Sequence, residues 1–399
     1  MNDSEIYRGN ALEVFATFLR LGLTSFGGPI AHIGYFRKEF VERKQWLSES
    51  VFSQLFALCQ LLPGPTSSQL GFSIGLLRAG WLGALGAFVA FTLPSVALLL
   101  GFSQLVPTLD SQVSDGLIHG LKLVAVAVVA DAVVGMARNL CREMKTRLLA
   151  SAAAVCLFFL DVSGVQFAVL VGGALVALLW RVKPSDYLGD QIVSPISWRM
   201  GIYCLGLYLC FFILLINLSD NNARFAIANA FYQSGALVFG GGHVVLPLLE
   251  ESVVATGLIN SEDFLAGYGA AQAVPGPLFS FAAYLGSNLE GEISGMGGAS
   301  IALAAIFAPG FLLVSACLPF WQRVATSPIA NRVVVGINAV VVGILAAALY
   351  DPLYVSVIKS PVDFVIVGCG VLMLRTLQLS PLVVVFWCLS MSHFMSSIS

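Results

Sequence analysis

Two stretches of this chain, about 213 residues apart, carry the same pattern of glycine, proline and phenylalanine. Phe18, Gly22, Phe26, Gly27 and Gly28 recur as Phe231, Gly235, Phe239, Gly240 and Gly241, all at an offset of 213. Pro63-Gly64-Pro65 recurs as Pro275-Gly276-Pro277 at 212, Gly80 and Gly83 as Gly295 and Gly298 at 215, Pro94 as Pro309 at 215, and Gly120 as Gly336 at 216. So small a drift over so many matches marks a tandem duplication. It divides the chain into a first half (1–182), a linker (183–222) and a second half (223–399).

Neither half reads as a soluble domain. Of the residues, 58% are apolar and 11% charged, against about a quarter charged in an ordinary soluble domain. Thirteen apolar runs, bounded by charged or Gly/Pro-rich breaks, cover the chain, and one of them, 200–218, forms the linker span. The expected class is an all-α polytopic membrane protein. The opening residues, with Asp3, Glu5 and Arg8, lack the basic-then-apolar order of a cleavable signal. A net charge of -2 gives no bulk field favouring nucleic acid. The eight cysteines contain no CxxC and lie mostly in apolar runs, which argues against disulfides, zinc and redox chemistry.

Several runs are too broken for a straight span, notably those holding Phe26-Gly27-Gly28-Pro29 and Pro63-Gly64-Pro65. If the first two runs of each half are re-entrant or broken hairpins followed by four crossings, with the amino terminus inside, 16 of the 20 Lys and Arg residues face the cytoplasm. Thirteen full crossings would lower that number to 12, so the positive-inside rule favours hairpins. The loop between the hairpins is basic in the first half (Arg37, Lys38, Arg43, Lys44) and acidic in the second (Glu250, Glu251, Glu262, Asp263). Equivalent loops of opposite charge are expected on opposite sides, so the linker helix inverts the second half and yields two inverted repeats.

Irregular backbone at membrane depth is tolerated where it is buried in protein or lines a cavity. The breaks are therefore the candidate binding site. After Pro63-Gly64-Pro65, Thr66, Ser67 and Ser68 are ready helix-start residues whose N–H groups and hydroxyls, at the positive end of a helix dipole, suit an oxyanion. Gln272, Pro275, Gly276, Pro277 and Ser280 stand at the equivalent place in the second half. Ser25, Gly27 and Gly28 precede a proline at a helix first turn, and Gly240, Gly241 and His243 mirror them. Kinks and close helix packing are the plainer reading of such residues; their recurrence in two halves that otherwise share little favours the anion site.

Charges within apolar runs are costly and mark functional candidates. Arg20 shares a helix face with Thr24 and either supplies charge to the site or reaches to the membrane edge. Three residues are coupling candidates. Lys122 and Asp131 point opposite ways on one helix, so they do not neutralise each other; Asp131 reads as a proton carrier or as a structural hydrogen-bond partner. Glu39, two turns after His32, reads as part of a proton relay or of a solvated face.

No HExxH, GxSxG, Walker A or CxxC motif occurs, so neither an enzyme nor an ATP-driven pump is expected. The run Phe26-Gly27-Gly28-Pro29-Ile30-Ala31-His32 with Glu39, Val41, Trp46 and Pro63-Gly64-Pro65, echoed by Phe239-Gly240-Gly241-Gly242-His243 and Pro275-Gly276-Pro277, resembles the chromate ion transporter family in its long, two-domain form. The second half departs from the first at Gly242, which stands for Pro29, and lacks a counterpart of Trp46. The resemblance implies a multi-pass protein of the bacterial inner membrane that exports chromate and confers resistance, with sulfate as the related dianion. The expected partners are chromate or sulfate and membrane lipid, with a homodimer left open; no cofactor, metal or nucleic acid is expected.

Overall fold

The computed structural model describes residues 9–160, 164–180, 192, 194–219, 222–239, 242–291, 293–325 and 327–396. Every regular element among them is a helix. In the first half these are α1 (Ala11–Thr24), α2 (Gly28–Arg37), α3 (Glu49–Leu61), α4 (Thr66–Leu105), α5 (Ser111–Leu140), α6 (Met144–Phe159) and α7 (Val165–Leu178). The linker helix α8 (Trp198–Leu218) follows. The second half holds α9 (Ala223–Leu237), α10 (Val245–Leu249), α11 (Ser261–Ala273), α12 (Phe281–Ser287), α13 (Gly295–Cys317), α14 (Pro328–Ala348), α15 (Pro361–Arg375) and α16 (Pro381–Ser396). The duplication is legible helix by helix, down to a π-helical turn after α2 (Lys38–Arg43) and its counterpart after α10 (Glu250–Val254).

Crossing about 30 Å of hydrocarbon takes about 20 helical residues. Five helical segments are long and apolar enough: Thr66–Thr108, Val113–Leu140, Trp198–Leu218, Gly295–Phe320 and Pro328–Val357. The chain is thus an all-α polytopic membrane protein. α1, α2 and α3, at 14, 10 and 13 residues, are each too short to cross alone. α4 joins two runs that read separately in the sequence, and Ala79 and Gly80 leave helical geometry inside it. α6 and α7, expected as crossings, have 16 and 14 residues.

Reciprocal contacts hold the halves together. The Gly64 N–H donates to the Val238 carbonyl at 2.7 Å, and the Gly276 N–H donates to the Ser25 carbonyl at 3.0 Å. Gly64 and Gly276 are repeat equivalents, as are Ser25 and Val238, so each half's Pro-Gly-Pro turn is fastened to the other half's first break. Contacts in which i meets j′ and j meets i′ are the mark of a two-fold relation. Pro29 and its equivalent Gly242 lie where the two breaks face each other: a Cβ on Gly242 would stand 2.8 Å from Pro29 Cγ. Only one of the two positions has room for a side chain, which explains why Pro29 has no proline counterpart. The exchange continues outward, with α5 packed on α15 and α16, and α14 on α6 and α7.

Where lipid is as apolar as the side chains, helices associate through close packing at small residues. A Cβ on Gly22 of α1 would stand 2.7 Å from the Phe91 carbonyl of α4, and one on Gly235 of α9 would stand 2.2 Å from the Ile306 carbonyl of α13. These equivalent glycines bring backbone against backbone in both halves. Trp46, which only the first half has, is buried and stacked on Phe40, with Lys44 and Arg78 5.0 and 4.9 Å from its ring centre. It anchors the basic loop to the core.

Candidate functional site

In the first half, α1 stops at Thr24 because Ser25 is extended, and Gly27, at φ +101°, sets the start of α2 with Pro29 in its first turn. No side chain caps that start. The buried Ser25 carbonyl accepts from His32 Nε2 at 3.2 Å as well as from Gly276. α3 ends at Leu61, the turn Pro63-Gly64-Pro65 redirects the chain, and α4 begins at Thr66, again without a side-chain cap. Gly64 has φ +122°, and a Cβ there would stand 3.0 Å from Gly310 Cα, so glycine is required twice over. Gln69 Nε2 donates to the carbonyls of Pro63 at 2.8 Å and Gly310 at 3.1 Å.

The N–H groups of Gly64 and Gly276, expected from sequence to face an anion, are occupied in joining the halves. The donors still available are the first-turn N–H groups of α2 and α4, which have no acceptor within their own helices. Around these breaks, Ser25 Oγ, His32 Nδ1, Ser68 Oγ, Gln69 Oε1 and Thr92 Oγ1 are buried without a hydrogen-bond partner among the described residues. A buried polar atom normally has one.

The second half is built differently. Gly240 and Gly241 lie outside the described residues. Gly242 opens a 3-10 turn rather than an α-helix, α10 has five residues, and Pro277 leads into another 3-10 turn, Leu278–Ser280, before the seven-residue α12. Ser280 Oγ donates to the Pro277 carbonyl at 2.6 Å. His243 Nδ1 meets the buried Tyr268 hydroxyl at 2.9 Å, and Gln272 Nε2 has no partner among the described residues.

Each charged candidate has an ionic partner. Arg20 is paired with buried Glu39, whose Oε2 also accepts from Arg43 at 3.1 Å. The Thr24 hydroxyl donates to the Arg20 carbonyl at 2.8 Å. Lys122 meets Glu262 at 2.8 Å and Asp131 meets Arg375 at 3.1 Å, so both charged candidates of α5 are paired to the second half. Lys122 holds the Glu262 carboxyl below the usual range. Sequence reasoning overlooked Gln69, Thr92 and Tyr268 as site groups and Glu262 and Arg375 as partners. The available signal was a polar residue inside an apolar run near a proline, as with Gln69 after Pro65 and Thr92 before Pro94.

The sequence signature described as "Chromate transporter" matches twice, over residues 12–178 and 225–392. The chain is 28% identical to the uncharacterized transporter MJ0718 of Methanocaldococcus jannaschii over 85% of this chain and 83% of that protein. It is 27% identical to the probable chromate transport protein of Synechococcus elongatus, over 83% and 82% of the two chains. It is 25% identical to the chromate transport protein of Cupriavidus metallidurans, over 92% and 89%. No solved structure matches it. Two signature matches that cover both halves, and relatives aligned over most of their length, place this chain in the chromate transporter family, a family of transport proteins rather than enzymes.

Proposed function

We propose that this protein is a secondary transporter that exports chromate across the bacterial cytoplasmic membrane and so confers chromate resistance. Its amino terminus is cytoplasmic and its halves are inverted repeats joined by α8, alternating access around the breaks. The observation that carries this reading is the set of buried unpartnered polar atoms beside the uncapped starts of α2 and α4. Backbone N–H groups at two helix starts, with the hydroxyls of Ser25, Thr66, Ser67, Ser68 and Thr92, supply hydrogen bonds to a tetrahedral dianion without burying a full counter-charge. Family membership and the chromate transport proteins among the relatives support the substrate class. Expelling a dianion from a cell with a negative interior is electrically downhill by about 2.3 kcal/mol per charge per 100 mV, which supplies a driving force without a proton carrier. Glu39, Lys122 and Asp131 remain the coupling candidates if protons are moved.

The test is flux of labelled chromate through proteoliposomes of the purified chain, with and without excess sulfate. The expected result is chromate flux that responds to the imposed potential. Flux of sulfate in preference to chromate would make this a sulfate carrier, and no anion flux would leave a membrane scaffold. Orientation is checked by reporters fused after Lys44 and after Glu251, expected to read on opposite sides; same-side readings would end the inverted-repeat account.

A further inference from the structure

An open cavity of about 450 Å³ lies outside the breaks, lined by Arg20, Thr24, Tyr35, Lys38, Glu39 and Arg43 among others. It joins the last turn of α1, where Thr24 immediately precedes the break at Ser25, to the basic loop after α2. Three cationic side chains line it, and their main neutralising group is one carboxylate. Glu42, which also lines it, is engaged by Arg37 at 2.7 Å. Glu39 is buried and uses a single oxygen, Oε2, for both Arg20 and Arg43; Oε1 has no partner among the described residues. Arg37 is itself shared with Glu49 at 2.9 Å, so the lining's three cations, Arg20, Lys38 and Arg43, face two carboxylates and keep one positive charge in excess; Lys38 makes no ion pair among the described residues. Arg20 is 44% exposed and Arg43 61%, so either can reach a ligand from solvent, at the cost of leaving the buried Glu39 carboxylate one partner fewer.

Resting on the anion-transport reading, we infer that this cavity is an outer docking site for the tetrahedral dianion, in which Arg20 and Arg43 exchange the Glu39 carboxylate for the oxyanion before it passes Thr24 to the break. Glu39 holds the two guanidiniums in place while the site is empty and competes with the dianion when it arrives. The competition keeps the site weak enough to pass its ligand inward. Guanidinium groups suit this task because their planar fork matches carboxylate and tetrahedral oxyanion alike. In the second half an acidic loop, with Glu250 and Glu251, takes the place of the basic one, so the opposite mouth lacks such a site. Docking is one-sided, on the side that carries the basic loop.

The experiment measures initial rates of chromate flux in vesicles of both orientations, for wild type, Lys38→Gln, Arg43→Gln and Glu39→Gln, in zwitterionic lipid and in the same lipid with added phosphatidylglycerol. Lys38→Gln and Arg43→Gln should raise KM about tenfold when chromate is supplied to the basic-loop face, with kcat within about twofold and no change from the other face. Glu39→Gln should do the reverse and lower KM, which a variant that merely folds poorly does not. Equal KM changes on both faces, or a higher KM for Glu39→Gln, overturn the docking site. Effects confined to vesicles with phosphatidylglycerol assign the cavity to a lipid phosphate and overturn it too. A wild type that moves no chromate from either face overturns the transport reading itself, and the docking site falls with it.

Discussion

The two halves share a backbone plan and differ in what fills it. Thr66, Ser67, Gln69 and Thr92 in the first half stand where the second half has Leu278, Phe279, Phe281 and Phe307, and Ser25 stands where it has Val238. The first half opens its helices at the breaks with α-helical turns of α2 and α4; the second opens them with 3-10 turns. Duplication thus preserved the interlock, Gly64 to Val238 and Gly276 to Ser25, while the chemistry diverged. Among the described residues the first half presents unpartnered hydroxyls, and the second presents the buried rings of Phe279, Phe281 and Phe307. His243 with Tyr268 is the second half's own polar pair, at a place where the first half has Ile30 and Phe56.

The largest expected effect falls on what the halves share. Gly64→Val or Gly276→Val forces a β-branched residue to φ +122° or +100° against packed neighbours, so each should cost about 3 kcal/mol or more and lower the melting temperature of the purified protein sharply. Equal losses at both positions support the two-fold interlock; a silent substitution at either breaks it. Gly242→Ala comes next: its methyl meets the Pro29 ring, with an expected cost of about 1 to 3 kcal/mol. Adding Pro29→Gly should recover about 1 kcal/mol or more of that, read as a coupling in a double-mutant cycle. Additive effects would mean that the two positions do not face each other.

The smallest effect concerns Glu250, in the acidic loop that stands where the first half has its basic one. Burial first, then Asp351 and Glu251, push its carboxyl up to about 7. The folded protein then keeps a proton that the unfolded chain has released, so stability falls as pH rises from about 4.5 to about 7. Glu250→Gln should remove that slope and stabilise the protein at pH 8 by about 1 kcal/mol, after allowance for partial exposure. An unchanged pH profile of thermal unfolding would show that Glu250 ionises normally.

The repeat, the helical class and the breaks were legible in the sequence because glycine and proline constrain backbone wherever they occur. Side-chain partnerships were not. Lys122 and Asp131 showed that they could not neutralise each other on one helix, yet Glu262 and Arg375 are distant in sequence and reach α5 only because the halves exchange helices. The Gly64 and Gly276 N–H groups read as free because a turn leaves its donors unassigned until the opposing chain is placed. From sequence Arg20 either supplies charge to the site or reaches to the membrane edge; the structure pairs it with Glu39 beside the outer cavity. The departure at Gly242 follows from two equivalent positions meeting, since a Cβ there would stand 2.8 Å from Pro29 Cγ.

One substitution made at two equivalent places separates the halves most directly. Ser68 and Ser280 are repeat equivalents, but the Ser68 hydroxyl has no partner among the described residues and the Ser280 hydroxyl donates to the Pro277 carbonyl. Chromate flux of Ser68→Ala and Ser280→Ala, at matched amounts of folded protein, should differ. The account predicts a fall of about tenfold in kcat/KM for Ser68→Ala and less than about twofold for Ser280→Ala. Equal falls, or a larger one at Ser280, would contradict an anion site borne by the first half.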